Sequence, residues 1–321
     1  MNELSTLRTL RENVVEPSGD ELKAAFDKLA VAMRSAESAK RRPRFARTRW
    51  VLASTAAVAL VGVVAGNIHV SAESADAAST LMTIAGETVT YADPVPSSGE
   101  YLLARTHAQW PQTTLDENNN TVRIPNEQVI EIYQPANPAD DWVMYRDWGA
   151  WQAVTQEGSI EIIRAKNGEF YGPGHWLTED LAEIPEGDGA EVLAYFDEKY
   201  VGGSVSRDED NFERIASILR SGLVPAEIRA RLFAALANIP GVSATPDIEN
   251  LDGVKGVAIG RTEFLRGGMR AEIILDPKTG LVIGERSISS VAIFGYGFNE
   301  IASLTAITTT VASEAPAVAK P

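Results

Sequence analysis

The chain has 321 residues, 45% of them hydrophobic, no cysteine and a formal net charge of −15. The lack of cysteine excludes disulfides, thiolate metal sites and a thiol nucleophile. Residues 1–49 hold 11 Lys/Arg against 7 Asp/Glu, residues 50–70 hold no charge, and residues 71–321 hold 18 against 37, so the large acidic part is expected to repel nucleic acid and to bind none.

The first 49 residues read as a small helical head. "NELSTLRTLRENV" sets Leu4, Leu7, Leu10 and Val14 at helical spacing, and Pro17, Ser18 and Gly19 end that pattern. Ser18 and Glu21 form a capping-box signature for a second helix, with Leu22, Phe26, Leu29 and Met33 along one stripe. Two short stripes need each other or a partner, so the head is either a self-packed hairpin or half-ordered tail, or a docking site for a cytoplasmic protein on the Leu22–Met33 stripe. A zinc-type anti-sigma head would need a His/Cys cluster, and this head has neither residue.

Residues 50–70 form an uncharged run. Seventeen to 21 helical residues would span roughly 26 to 31 Å, close to the roughly 30 Å of a bilayer core. Lys40, Arg41, Arg42, Arg44, Arg47 and Arg49 precede it, and Trp50 stands at its start. That flank predicts a transmembrane helix with a cytoplasmic N-terminus and the body outside, with Trp50 at the interface. The rival is a cleaved export signal, because small residues around Ala72 and Ala77 suit a signal peptidase. The 49 residues ahead of the run exceed the roughly 15 to 30 of an ordinary signal and favour a retained anchor.

Residues 71–80, rich in Ala and Ser, read as a linker. The body, 81–312, opens with strand signals: "TLMTIAGETVTY", "GEYLLARTHAQW", "RIPNEQVIEIYQ", "DWVMYRDWGAWQAV" and "SIEIIRAKNG". Three helices follow, "GAEVLAYFDEKY", "SRDEDNFERIASILRSG" with a Ser206/Glu209 capping box, and "VPAEIRARLFAALANIPG" opening at Pro225. Strands return in "GVKGVAIGRTEF", in a hairpin around Asp276-Pro277-Lys278-Thr279-Gly280, and in "SLTAITTTVA"; residues 313–321 read as a disordered tail. The order of elements predicts an α+β fold: short N-terminal helices, one transmembrane helix, then an antiparallel sheet covered by about three helices.

On "GEYLLART", "LVPAEIRARLFAALANIPGV" and "ILDPKTGLVIGERSI", and on the layout of head, basic flank, apolar run and body, the chain resembles a family of actinobacterial single-pass membrane proteins often encoded beside a sigma factor. The resemblance implies an envelope protein with an anti-sigma-like regulatory role and a sigma factor as cytoplasmic partner. It supplies no functional residues. The order of sheet and helices is also similar to that of half-barrel lipoprotein carriers, an analogy of fold only.

Catalytic signatures are missing from the sequence. His69, His107 and His175 have no neighbours at metal-ligand spacing, and there is no nucleophile elbow or phosphate loop. "DENNNTVRIPNE" imitates a calcium loop but has Thr121 where the turn needs Gly, and reads as a polar hairpin loop. No metal or cofactor is expected. Trp142, Tyr145, Trp148 and Trp151, spaced by three, alternate faces in a strand and are read either as packing or as the wall of a ligand groove. The expectation is a non-enzymatic sensing or binding domain at the cell envelope; the alternative is a tethered carrier for an apolar ligand with an inert head.

Overall fold

In the computed structural model the first described element is a helix, α1 (Ala72–Thr88), across the stretch expected to be a linker and a strand. Alanine is the best helix former, and Ala77, Leu81, Ile84, Ala85 and Thr88 recur on one stripe and are all buried. Small residues that read as flexible linker are therefore a docked helix.

The structure describes residues 72–117, 121–150, 159–171, 181–263, 266–289 and 296–317. Every described residue belongs to one compact unit, Ala65–Pro321. The Leu22–Met33 stripe, the basic flank from Lys40 to Arg49, Trp50 and the apolar run 50–70 lie outside the described residues.

Among the described residues, eleven strands and three more α-helices follow α1, with one 3-10 turn at Leu181–Glu183. They are β1 (Tyr101–Gln109), β2 (Gln112–Leu115), β3 (Thr121–Ile124), β4 (Glu127–Pro135), β5 (Asp141–Asp147) and β6 (Ile160–Lys166), then α2 (Gly189–Glu198), α3 (Arg207–Leu219) and α4 (Ala226–Leu236), then β7 (Val242–Glu249), β8 (Lys255–Glu263), β9 (Met269–Leu275), β10 (Val282–Ser289) and β11 (Glu300–Ala312). Nine strands form one sheet in the order β6-β5-β4-β1-β11-β10-β9-β8-β7, and β2 and β3 form a separate ribbon. The ladders of the sheet are antiparallel throughout.

The expected fold class is corrected accordingly. The described structure is a nine-stranded antiparallel sheet with four helices rather than three, and among the described residues no helix is long and apolar enough to cross a membrane. The extra helix, α1, has an Ala-rich apolar stripe that docks on α4 and β7, and its exposed side carries acids such as Asp76 and Glu87.

Local chemistry explains the other elements. Asp188 caps α2 in a full capping box with Glu191. Ser206 caps α3 by accepting from Glu209 N at 3.1 Å, while the Glu209 carboxylate accepts from Val205 N at 2.7 Å and pairs with Arg266. Pro225 stands just outside α4, and the cap is supplied from afar: Asp93 accepts from Ala226 N at 2.7 Å. Asp93 also takes Arg229, a guanidinium 2% exposed, at 2.8 Å, and Arg229 reaches the carbonyls of Val224 and Thr279. The β9–β10 turn closes through Gly280 N donating to Asp276 O at 2.8 Å, with Gly280 at φ +64°. Pro246 is tolerated in β7 because β7 is an edge strand and bulged there.

The segment α2–α4 joins β6 to β7, which are opposite edges of the sheet, and so lies along one face. The main core, built on Leu81, Phe196, Phe212, Ile218, Phe233 and Leu236, packs these helices onto β7–β11 through Val242, Ile259, Ile273 and Ile307. A second cluster, with Ile130, Ile132, Trp142, Met144, Phe170 and Leu223, covers the same face of β1, β4 and β5.

Candidate functional site

Strand alternation sorts the charges of β9–β11 between the two faces. Glu285 and Ser287 of β10, Ser303 of β11, and Ala271 and Ile273 of β9 face the helices; Arg270, Glu272 and Arg286 face the other way. Under α3 this leaves a cleft of about 190 Å³. Phe212, Ala216 and Ile273 give it an apolar floor, and Glu213, Glu285 and Arg220 give it charge. Arg220 Nη1 donates to Glu285 at 3.1 Å, and the Ser287 and Ser303 hydroxyls lie 2.7 Å apart. Glu213 has no hydrogen-bond partner among the described residues. Burial pushes its carboxyl above the ordinary carboxylate range; Arg220 and, more weakly, Arg266 pull it back, and Glu285 and Glu209 add to the rise. The cleft thus holds one hydrogen-bonded ion pair and one carboxylate, Glu213, without a direct ion-pair partner among the described residues. On the opposite face Glu272, buried, sits between Arg270 and Arg286, and Arg270 donates on to Ser243.

The second constellation centres on His107 in β1. Its Nδ1 lies 2.6 Å from Asp252 Oδ1, in the β7–β8 turn, and its Nε2 lies 2.6 Å from Glu127 Oε1, at the start of β4. Desolvation opposes protonation, but the hydrogen bonds and charges of Asp252 and Glu127 outweigh it and raise the imidazole above its ordinary value. Both ring nitrogens donate in the imidazolium, so neither is left to take a proton from a nucleophile. Among the described residues no group of three or more His, Asp or Glu side chains is placed to hold a metal ion.

Other grooves are more open. One of about 670 Å³ lies at the end of β1, β5 and β6 beside Tyr101, Asp140, Asp141, Arg164 and Lys166. Another of about 550 Å³ lies between the β2–β3 ribbon and β11, beside Val122, Arg123 and Ile301.

The residues singled out from sequence are dispersed. Trp142 is 5% exposed in the second apolar cluster, and its Nε1 donates to Pro138 O at 2.9 Å. Tyr145 points to the opposite face. Trp148 donates to Glu161 at 3.2 Å and lies under the Arg146 guanidinium. Trp151 is outside the described residues, as are His69 and His175. Trp142 and Tyr145 are therefore not brought onto one surface. In the calcium-like stretch, Glu127 is drawn to His107.

Sequence reading missed both constellations. Nothing in the sequence around Glu213 sets it apart from the other acids of its helix. The partners of His107 are 20 and 145 residues away, beyond any spacing rule. One signal was readable: Asn250-Leu251-Asp252-Gly253 is a turn sequence, and Asn250 Oδ1 accepts from Asp252 N and Val254 N.

Comparisons with protein-family models, with curated proteins and with solved structures find no match for the chain. The functional reading therefore rests on geometry.

Proposed function

We propose that the acidic body is a non-enzymatic binding or sensing domain that takes a small, polar, positively charged solute into the cleft under α3. The observation that carries this is the Glu213 carboxylate, which lines the cleft without a direct ion-pair partner among the described residues while Arg220 is held by Glu285. An incoming ammonium group would meet Glu213 and Glu285, and the Ser287 and Ser303 hydroxyls could take its polar substituents. The net charge of −19 on residues 71–321 draws cations toward the body at long range. About 190 Å³ suits a few non-hydrogen atoms and not a lipid chain, which speaks against an apolar cargo in this cleft. Coupling to a cytoplasmic partner such as a sigma factor through residues 1–49, and a place at the cell envelope, complete the proposal; their support is the Leu22–Met33 stripe and the charge step along the sequence.

Thermal melting of the purified chain with ethanolamine, glycerol and acetate tests the cleft. Ethanolamine is expected to raise the melting temperature in wild type and not in Glu213→Gln, with no effect of the other two. Equal effects of ethanolamine on both proteins, or a response to acetate alone, would overturn the reading.

A further inference from the structure

The sheet contains a fork. β11 pairs with β1 along its length from Leu304 to Ala312, but its ladder with β10 ends at Arg286↔Leu304. One residue further on Glu285 N still donates to the Thr305 hydroxyl at 2.9 Å; past that contact the backbone ladder stops, and the β7–β8 turn sits against both strands. Leu251 N donates to Thr305 O at 3.2 Å, and Asn250 Nδ2 donates to Ile283 O at 2.6 Å, so the turn satisfies a carbonyl on each prong. Gly284 permits the approach: a Cβ there would stand 2.9 Å from Asn250 Cβ and 2.5 Å from Thr305 O. One residue on from Leu251, Asp252 reaches past the fork to His107 on β1, which is tied in turn to Glu127 on β4.

We propose that the 250–254 turn is a pH-responsive latch: the doubly protonated His107 ring ties it to β1 and β4, and loss of the ring proton frees it from the fork. A neutral imidazole keeps one N–H. It can donate to Asp252 or to Glu127 but not to both, and the nitrogen left over faces a carboxylate lone pair across 2.6 Å. The charged groups facing the ring are Asp252 from the turn and Glu127 from β4; β11 presents Ala306, and Arg105, next on the same face of β1, is paired with Glu131. Because the folded state raises the imidazole above its ordinary value of 6.5, the latch is closed at and below that pH and is lost as pH rises through the higher folded value. The ring is 20% exposed, so the proton exchanges with solvent without unfolding. Release leaves the Thr305 and Ile283 carbonyls without their turn partners. The latch does not depend on what the cleft binds.

The test is amide hydrogen exchange of the full chain from pH 6 to 9, corrected for the intrinsic rate, read on the peptide covering 250–254, whose Leu251 N–H is the one held by the fork. Wild type should lose protection severalfold there as pH rises, while peptides of α2 hold theirs. His107→Gln should be low and flat. A wild-type profile without pH dependence, or the same dependence in His107→Gln, would overturn the latch. Ring nitrogen shifts of wild type need no variant, and with three histidines in the chain assignment is direct. Both nitrogens of His107 should be protonated at pH 6; a neutral tautomer there would sink the proposal.

Discussion

Leu81 offers the sharpest test of whether residues 72–88 belong to the fold. Its side chain is fully buried in the main core, on a helix that packs on α4 and β7. Leu81→Ala removes three buried carbon atoms and leaves a cavity that α4 cannot collapse into without losing Leu232 and Phe233 packing. The expected cost is about 3 kcal/mol, within the roughly 2–5 found for fully buried leucines. In a body of this size that lowers the melting temperature by roughly 6–12 °C. Met82, adjacent but 55% exposed, is the internal control, and Met82→Ala should stay within about 0.5 kcal/mol. Equilibrium urea unfolding of the purified chain measures both. If the two substitutions cost the same, α1 is not docked and the stripe of Ala77, Leu81, Ile84 and Ala85 has been misread.

Asp93 holds the Arg229 guanidinium and caps α4 with its second oxygen, so Asp93→Asn strands a buried cation. The expected loss is about 2–3 kcal/mol by urea unfolding, somewhat below that for a fully buried pair because Asp93 is partly exposed. Glu213 has the opposite sign. Its folded value is raised, so the native state holds its proton longer, and wild-type stability falls as pH climbs from the ordinary value of 4.5 through the folded value. Glu213→Gln should match wild type in acid and exceed it by about 0.5–1 kcal/mol near neutral pH. A wild type more stable than the variant near neutral pH would mean that the carboxylate is satisfied.

Sequence alone made the strands and helices with strong local signals legible. The alternation in β4 and β9, the Asp276–Gly280 turn and the Ser206 cap act within a few residues, where spacing rules apply. β7 was hidden because Pro246 and Asp247 break its pattern, and only its place at an edge makes that tolerable. α1 was hidden because alanine and serine suit both linkers and helices, and the choice is made by the core on which Leu81 and Ile84 land. The two candidate sites were hidden for a stronger reason. Glu213 becomes unusual only when Arg220 is claimed by Glu285 on another element, and His107 only when a turn 145 residues away arrives beside it.

The central place of β1 bears on how the body is made. Tyr101 pairs with Ala312 on one side and with Pro135 on the other, so the middle of the sheet is stitched from two ends of the chain. As the chain leaves the ribosome, β4, β5 and β6 can join β1, but the far edge of β1 stays bare until about 200 residues later, when β11 emerges. Loop closure over that distance comes late and slowly, and for that interval the nascent body carries an open, hydrogen-bonding edge. A chain stopped before residue 300 would keep that edge permanently and aggregate through it. Pairing with β11 is thus what closes the far edge of β1.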